Sequence, residues 1–400
     1  GNPDGTGRTP FPNNQIPANR ISSIARNILN NVPLPNIAGA PLGGTNFETG
    51  YVREERTNQG DIKLTTELSP ANNLAIRYSY QNPKTYDPAT FGIYGGIKGF
   101  PGYGTNPTHN VAANYNRTWS PSLVQEVRVG MSYYHNQALS EADGLNTSEE
   151  LGISGVNLNR FSSGITTIDV SGYNGTLVGY SASLPWDRSE RTWTMATTLT
   201  KLHGNHTIKV GGDLRYNRDY LLQVQDNGGP RGIFRFRGAT TATPADTAAQ
   251  NGFANAFAAF LLDVPQSLGR DLITDIDPGT RHWGVFSYVQ DKWQVRPQLT
   301  IDLGLRHEYY TPLVGLNDRG GLSNYDPTNN TLRVAGYSQV PADLGVKSYW
   351  KNFNPRTGVS WRVNDISVLR AGYGVSTTPW PDNSYAFNFP VKQNNQINPP

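Results

Sequence analysis

Residues 283 to 310 read Trp283-Gly-Val-Phe-Ser-Tyr-Val-Gln-Asp-Lys-Trp-Gln-Val-Arg296-Pro-Gln-Leu-Thr-Ile-Asp-Leu-Gly-Leu-Arg-His-Glu-Tyr-Tyr310. After the Arg296-Pro297-Gln298 turn, Leu299, Ile301, Leu303 and Leu305 fall on one face and Thr300, Asp302, Gly304 and Arg306 on the other, because strand side chains alternate with period two. One face is apolar and the other is wet. The incoming strand is less regular: Trp283, Val285, Val289 and Val295 share a face with Ser287 and Asp291, while Phe286 and Tyr288 take the opposite one. Its register is the hardest in the chain to read.

The same pattern recurs on both sides of this hairpin. Ile62, Leu64 and Leu68 face Leu74, Ile76, Tyr78 and Tyr80 across Ser69-Pro70-Ala71-Asn72, and Val111, Ala113, Tyr115 and Trp119 face Val127, Val129, Met131 and Tyr133 across Ser120-Pro121-Ser122. Trp193, Met195 and Leu199 pair with Ile208, Val210, Leu214 and Tyr216 across His203-Gly204-Asn205-His206, and Val359, Trp361 and Val363 with Leu369, Ala371, Tyr373 and Val375 across Asn364-Asp365. Between the hairpins run residues 81–110, 134–192, 217–282 and 310–356, all at one end of the sheet. Compact soluble domains keep connections near about 4 to 6 residues. A meander with tight turns on one rim and long loops on the other is instead the signature of an outer-membrane β-barrel. The expected fold is therefore all-β: an antiparallel up-and-down transmembrane β-barrel, present in part as about 10 to 12 strands, with long extracellular loops carrying short helices.

Composition agrees. A hydrophobic content of 36% and a mean hydropathy of −0.53 are too polar for a helical membrane protein, while Gly 42, Tyr 21 and Trp 8 suit twisted strands and aromatic belts. The longest apolar stretch, Phe253 to Leu262, falls short of the roughly 20 residues a membrane helix needs. A net charge of +3 with no basic run argues against nucleic acid as a partner. Zero cysteines exclude disulfides and thiolate metal sites. The chain starts at Gly1 without a signal peptide and ends at Pro400 in a polar segment, so it reads as a fragment of a larger protein.

Along the chain, residues 1–56 read as an extracellular loop segment with one short helix, in which Asn19 caps Ile21, Ile24 and Ile28 before Pro33 and Pro35 stop it. Residues 57–378 carry the barrel strands and loops, and 379–400 begin the next extracellular loop. Within 231–274 lie a strand-like piece, Gly232 to Arg237, and a helix candidate, Asn251 to Leu262. Parity requires the segment between Tyr216 and Trp283 to add an even number of crossings; zero is simplest, and two is the alternative. Trp119, Trp293 and Trp361 lie just before short turns, and Tyr80, Tyr133, Tyr216 and Tyr309 near the far strand ends, as two interfacial belts require.

Alternation assigns Leu299, Ile301, Leu303, Leu305, Ile208, Val210, Leu214, Val127 and Val129 to lipid, and Lys209, Asp213, Arg215, Asp302, Arg306, Glu308 and Arg370 to the lumen, where they read as a solvated, cross-paired wall. Catalytic and cofactor motifs are missing: there is no Gly-x-Ser-x-Gly elbow, Walker loop or His-Glu-x-x-His, and Gly99, Gly102 and Gly104 do not lead from a strand into a helix. His203 and His206 read as turn residues and not as a metal pair. We therefore expect no enzyme, no metal and no cofactor. Tyr349, Trp350, Trp380 and Tyr385 are loop aromatics that would suit stacking on a solute such as a sugar, although packing within a loop is their commoner use.

The hairpin from Tyr288 to Tyr309 resembles the recurrent barrel hairpin of TonB-dependent outer-membrane receptors. Pro10-Phe-Pro-Asn-Asn-Gln-Ile-Pro-Ala-Asn-Arg-Ile21 with Pro33-Leu-Pro-Asn36, Asn255-Ala-Phe-Ala-Ala-Phe-Leu-Leu-Asp263, Asn354-Pro-Arg-Thr-Gly358 and Leu369-Arg-Ala-Gly-Tyr-Gly374 resemble the Oar-like branch of that family. The resemblance implies a barrel of about 22 strands filled by a plug, contact with the TonB system through that plug, and energised uptake of a large solute whose identity it does not specify. Plug, TonB-contacting segment and closing strand are not among these residues. The partners implied are outer-membrane lipid, the TonB system and the solute. A structural or adhesive surface barrel is the alternative, and a soluble all-β carbohydrate-binding protein a more distant one.

Overall fold

A computed structural model describes residues 2, 4–41, 44–96, 100–173, 176–222, 228–273, 279–378 and 392–398. In chain order the strands are β1 (Glu54–Ser69), β2 (Asn72–Asp87), β3 (Gly102–Thr105), β4 (Thr108–Ser120), β5 (Leu123–Leu139), β6 (Thr167–Val170), β7 (Trp186–His203), β8 (His206–Leu222), β9 (Ile233–Phe236), β10 (Ser267–Ile273), β11 (Gly279–Arg296), β12 (Leu299–Tyr310), β13 (Val314–Gly315), β14 (Ser323–Asp326), β15 (Thr331–Val334), β16 (Phe353–Arg362), β17 (Val368–Gly374) and β18 (Lys392–Ile397). The helices are α1 (Ser23–Leu29), α2 (Thr147–Glu150), α3 (Thr247–Gln250) and α4 (Phe253–Leu261).

A 12-stranded sheet forms the wall. Each long strand pairs antiparallel with the next in sequence, β1 with β2, then β4, β5, β7, β8, β11, β12, β16 and β17. The short β3 and β13 extend it at the long-loop rim. β8 pairs directly with β11, so the intervening segment adds no crossing to the wall. The sheet is open, with β1 and β17 as its edges.

Register sets the slope of the strands. Asn72, just after the first turn, lies opposite Arg117, which is short of the end of β4 at Ser120. Leu123 lies opposite Lys201, short of His203, and His206 lies opposite Trp293, short of Arg296. Each turn thus sits about two to three residues lower than the one before, across two strands. With about 3.3 Å per residue and about 4.8 Å per strand, that stagger is a tilt of roughly 35 to 45°, the slope of a membrane barrel wall.

Several strands run further than apolar alternation indicates. β2 continues to Asp87, β5 to Leu139 and β8 to Leu222, while β7 begins at Trp186. Beyond the aromatic positions both faces carry polar residues such as Ser189, Arg191, Arg218 and Gln137, so the periodic signal stops while the hydrogen-bonded ladder continues. The fifth turn is also wider than Asn364-Asp365: β16 ends at Arg362 and Val363 N–H donates to Ser367 O at 3.0 Å.

The apolar core lies outside the wall. Residues from the loops after β2, β5 and β8, with α1, bury Ile28, Ile165, Val170, Leu177, Val178, Leu184, Phe236, Ala256 and Phe260 in one cluster. A four-stranded sheet in the order β18-β10-β9-β6 backs it, with β6 and β9 parallel. We call this unit the cap. Gly95 and Gly179 join two of its loops at positive φ (77° and 120°), and a Cβ on Gly95 would lie 2.0 Å from the carbonyl oxygen of Gly179.

Two helix expectations shift. Ser22, not Asn19, caps α1, its Oγ accepting from Ile24 N at 3.2 Å and Ala25 N at 3.5 Å, because Asn19 is taken up in a preceding turn over Ala18–Arg20. α4 is shorter than Asn251 to Leu262 and starts after Gly252 with no side-chain cap. Ser22 N donates to Leu261 O at 2.8 Å, which ties the first segment of the chain to α4.

Phe260 is 2% exposed and meets Phe236 edge-on at 5.5 Å. Phe260→Ala is expected to destabilise the cap by roughly 3 to 5 kcal/mol. Limited proteolysis should then cut within 140–185 and 228–273 faster, while the unheated wall keeps its compact gel mobility. Simultaneous loss of both would show that cap and wall unfold as one unit.

Candidate functional site

The two faces of the wall are chemically opposite. Across β5, β7, β8, β11 and β12, Val129 pairs with Met195, Met195 with Leu214, Leu214 with Val285 and Val285 with Tyr309. Val127 lies in the next row on that face, and Val210 with Leu305, Ile208 with Leu303, Ile301 and Leu299 follow toward the short-turn rim. Several side chains on this face are unusually bare: Val129 is 50% exposed, Leu303 51% and, on β1, Ile62 63%. An apolar band this broad needs a cover.

Aromatic rings bound the band. Toward the long loops, Tyr80, His109 and Tyr133 follow one another at 5.0 and 6.0 Å, and Trp193, Tyr216 and Trp283 at 5.5 and 4.5 Å. Toward the short turns stand Trp361, Trp293, which is stacked with His206 at 5.4 Å, and Trp119, which lies under the Arg117 guanidinium at 3.6 Å. Trp283 and Trp293 belong to one strand and face the same way. Their separation is about 33 Å along the strand and about 25 Å once tilted, the height of a barrel's apolar band.

On the opposite face lie Lys209, Asp213, Arg215, Asp302, Arg306, Glu308 and Arg370, and the register brings four of them into one network. Arg306 Nη2 and Arg215 Nε each donate to Asp213 at 3.1 Å, and Arg306 Nε donates to Glu308 at 2.8 Å. Phe286, 4% exposed, lies between the two guanidinium groups at 5.1 and 4.8 Å. It folds over Gly284, where a Cβ would meet its Cζ at 2.6 Å, and Tyr288 likewise covers Gly211 and lies 2.7 Å from the Thr198 hydroxyl. Alternation had placed both rings on this face; their role as spacers between charges was not legible. Lys209, Asp302 and Arg370 stand nearer the short turns, with Asp302 directly across from Lys292. His206, beside its turn, has Nδ1 2.7 Å from Asp291 Oδ2.

The loop aromatics divide. Trp350 stacks on the wall residue Tyr309 at 3.6 Å and 9°, and its carbonyl accepts from His307 Nε2 at 2.8 Å, so its ring extends the aromatic boundary. Tyr349 stays exposed. Trp380 and Tyr385 lie outside the described residues.

Within the cap, Arg231 is 1% exposed, donates to the carbonyls of Leu184 at 2.8 Å and Ser181 at 2.9 Å, and sits 6.0 Å from the Tyr180 ring. Burial draws its pKa down to about 10, which leaves it charged at neutral pH, and the same burial pushes the Tyr180 hydroxyl up. Asp263, at the end of α4, is also raised by burial.

The family described as outer membrane beta barrel domain matches residues 1–400. No curated protein matches the chain. Among solved structures it is similar to the ferripyoverdine receptor of the outer membrane of Pseudomonas aeruginosa bound to ferripyoverdine, with 13% identity, a TM-score of 0.44, and coverage of 82% of this chain and 37% of that one. It is similar to the ferric-catecholate import receptor Fiu of E. coli K12, with 12% identity, a TM-score of 0.42, and coverage of 81% and 47%. The copper transporter OprC shares 11% identity at a TM-score of 0.42, with coverage of 80% and 36%. The chain thus spans between about a third and a half of these proteins' lengths.

Removing the centre of the charged network should cost far more than removing an exposed pair. Arg306→Met leaves Glu308 without its cation and Asp213 with only one, at a cost of roughly 1 to 3 kcal/mol. Arg77, whose partner Asp61 is more than half exposed, should tolerate the same change with little effect. Denaturant midpoints of the two variants give the comparison, and equal shifts would mean that the network is fully solvated.

Proposed function

The chain belongs to the outer membrane beta barrel domain family, and from that premise we propose that it supplies part of the wall and the outer cap of an Oar-like TonB-dependent receptor, which takes up a large solute with energy delivered by TonB. Its place is the outer membrane of a Gram-negative bacterium. On this reading the apolar face meets lipid and the charged face lines the lumen. The long loops and the cap look outward, and the tight turns face the periplasm.

The observation that carries the reading is the combination of a folded cap on one rim with a wall that is apolar on one side and charged on the other. A membrane anchor needs the apolar face alone. A gated path needs in addition a wetted wall and a structure at the mouth that holds loops in place. Because Trp350 is engaged by Tyr309, Tyr349 is, of the four loop aromatics named from the sequence, the described one left to meet a solute.

Segment 231–274 holds β9, α4 and β10 and contributes Phe236 and Phe260 to the cap core. Its deletion should dismantle the cap and weaken solute capture while the wall still inserts. Uptake of oligosaccharides, peptides and metal chelates, compared in cells with and without a working TonB system, tests transport directly. Identical uptake in both across the panel would favour a structural or adhesive barrel.

The faces have their own test. Leu303→Arg should cost roughly 2 to 4 kcal/mol in a reversible barrel-folding assay, and Asp302→Asn much less. Reversal of that order would exchange lipid and lumen. For orientation, cysteines introduced at positions 70, 204 and 297 should resist a membrane-impermeant reagent on intact cells, whereas one at 328, in the turn between β14 and β15, should react. Labelling at the first three would invert the topology.

A further inference from the structure

Three arginines meet on the apolar side of the wall. Arg191 of β7 lies directly across from Arg218 of β8, and Arg218 directly across from Arg281 of β11. Like charges set opposite one another on neighbouring strands destabilise a sheet. Strands about 4.8 Å apart hold the three stems within about 10 Å. Arg281 is answered, with Nη2 donating to Asp318 at 2.6 Å and Nη1 to Leu316 O at 3.2 Å. Arg191 and Arg218 have no carboxylate at ion-pair distance among the described residues. Arg191 is exposed, with its guanidinium 5.2 Å from the Tyr133 ring.

Their height on the wall gives the row its meaning. In the same cross-strand row stand Tyr133, His109 and Tyr80, and the next row toward the turns carries Trp193, Tyr216 and Trp283. On β7, β8 and β11 the rings Trp193, Tyr216 and Trp283 mark the boundary between hydrocarbon and headgroups. The arginines lie one step of about 7 Å beyond these three rings along the same strands, toward the long loops. Two uncompensated guanidinium groups at headgroup level suit phosphate, whose oxygens accept in the forked geometry that arginine offers.

We propose that Arg191 and Arg218, flanked by Arg281, bind the phosphates of a lipid headgroup on the outside of the barrel, the lipid being the phosphorylated glycolipid of the outer leaflet. This rests on the reading above in which the apolar face meets lipid and the long loops face outward. The bound lipid would supply the counter-charge that the sheet lacks and fix the wall's depth in the membrane.

The test uses the full-length protein reconstituted in phosphatidylcholine vesicles containing phosphorylated glycolipid, followed by mild extraction and quantification of the glycolipid retained. The double variant Arg191→Gln/Arg218→Gln should retain about tenfold less, and Lys209→Gln/Arg370→Gln, on the other face, should retain as much as wild type. Dephosphorylated glycolipid should be held by the wild type no better than by the double variant. Equal retention by the double variant, or of the dephosphorylated lipid, would overturn the proposal, as would complete displacement by inorganic phosphate, which would make the site one for the free anion. A nitroxide on a cysteine introduced at position 129 separates the two readings. If the label is not in lipid, the membrane face itself is misassigned; if it is in lipid while retention ignores the arginines, only the phosphate site fails.

Discussion

Inside a bilayer a backbone N–H or C=O has no water to bond, and each one left unpaired costs several kcal/mol. The wall answers that constraint with an unbroken ladder in which every long strand bonds its sequence neighbours. Other features follow from it. Pairing in sequence order forces connections to alternate between the two rims, and the stagger of the turns tilts the strands. Because pairing is satisfied by backbone alone, side chains are free to differ completely between the faces. Leu303 and Asp302 are adjacent in sequence and belong to different environments.

The usual relation between core and surface is thereby inverted. In this protein many large apolar side chains on one face of the wall are exposed, and the buried cluster sits in loops. The cap has to solve a soluble-protein problem, with helices, a small mixed sheet and close-packed aromatics such as Phe257 and Phe260, which lie 5.8 Å apart. It buries the Arg231 guanidinium where the carbonyls of Leu184 and Ser181 converge. The wall gathers charge instead on the face opposite its apolar band, with Phe286 lying between two arginines.

How much of this the sequence revealed depends on which signal each part uses. The hairpins were legible because one face of each strand must be apolar over its membrane height, so Ile301, Leu303 and Leu305 announce themselves. Where the strands rise past the aromatic boundary, that requirement lapses, and Ser189 or Gln137 carries no periodic mark although its backbone stays paired. The cap was illegible for a different reason: Ile28, Ile165 with Leu184, and Phe260 come from three separate segments, and no local period connects them. Asn19 looked like a helix cap because Ser22 offers the same chemistry a few residues later, and only the backbone decides between them. Trp350 read as a loop ring until its stacking partner in the wall was known.

The arginine row shows the same limit most sharply. Arg191, Arg218 and Arg281 are each unremarkable in sequence, and the chain's net charge of +3 hides any local concentration. Register alone brings them side by side, since a shift of one residue in either pairing would turn one of them to the lumen. The wall keeps this register although it sets like charges opposite one another. Above the aromatic boundary the ladder is still fixed by the strands below it, so the positions of these side chains are set by hydrocarbon matching some 7 Å away. The cost of their proximity falls on the sheet, and an anion in the surrounding leaflet is the component best placed to offset it.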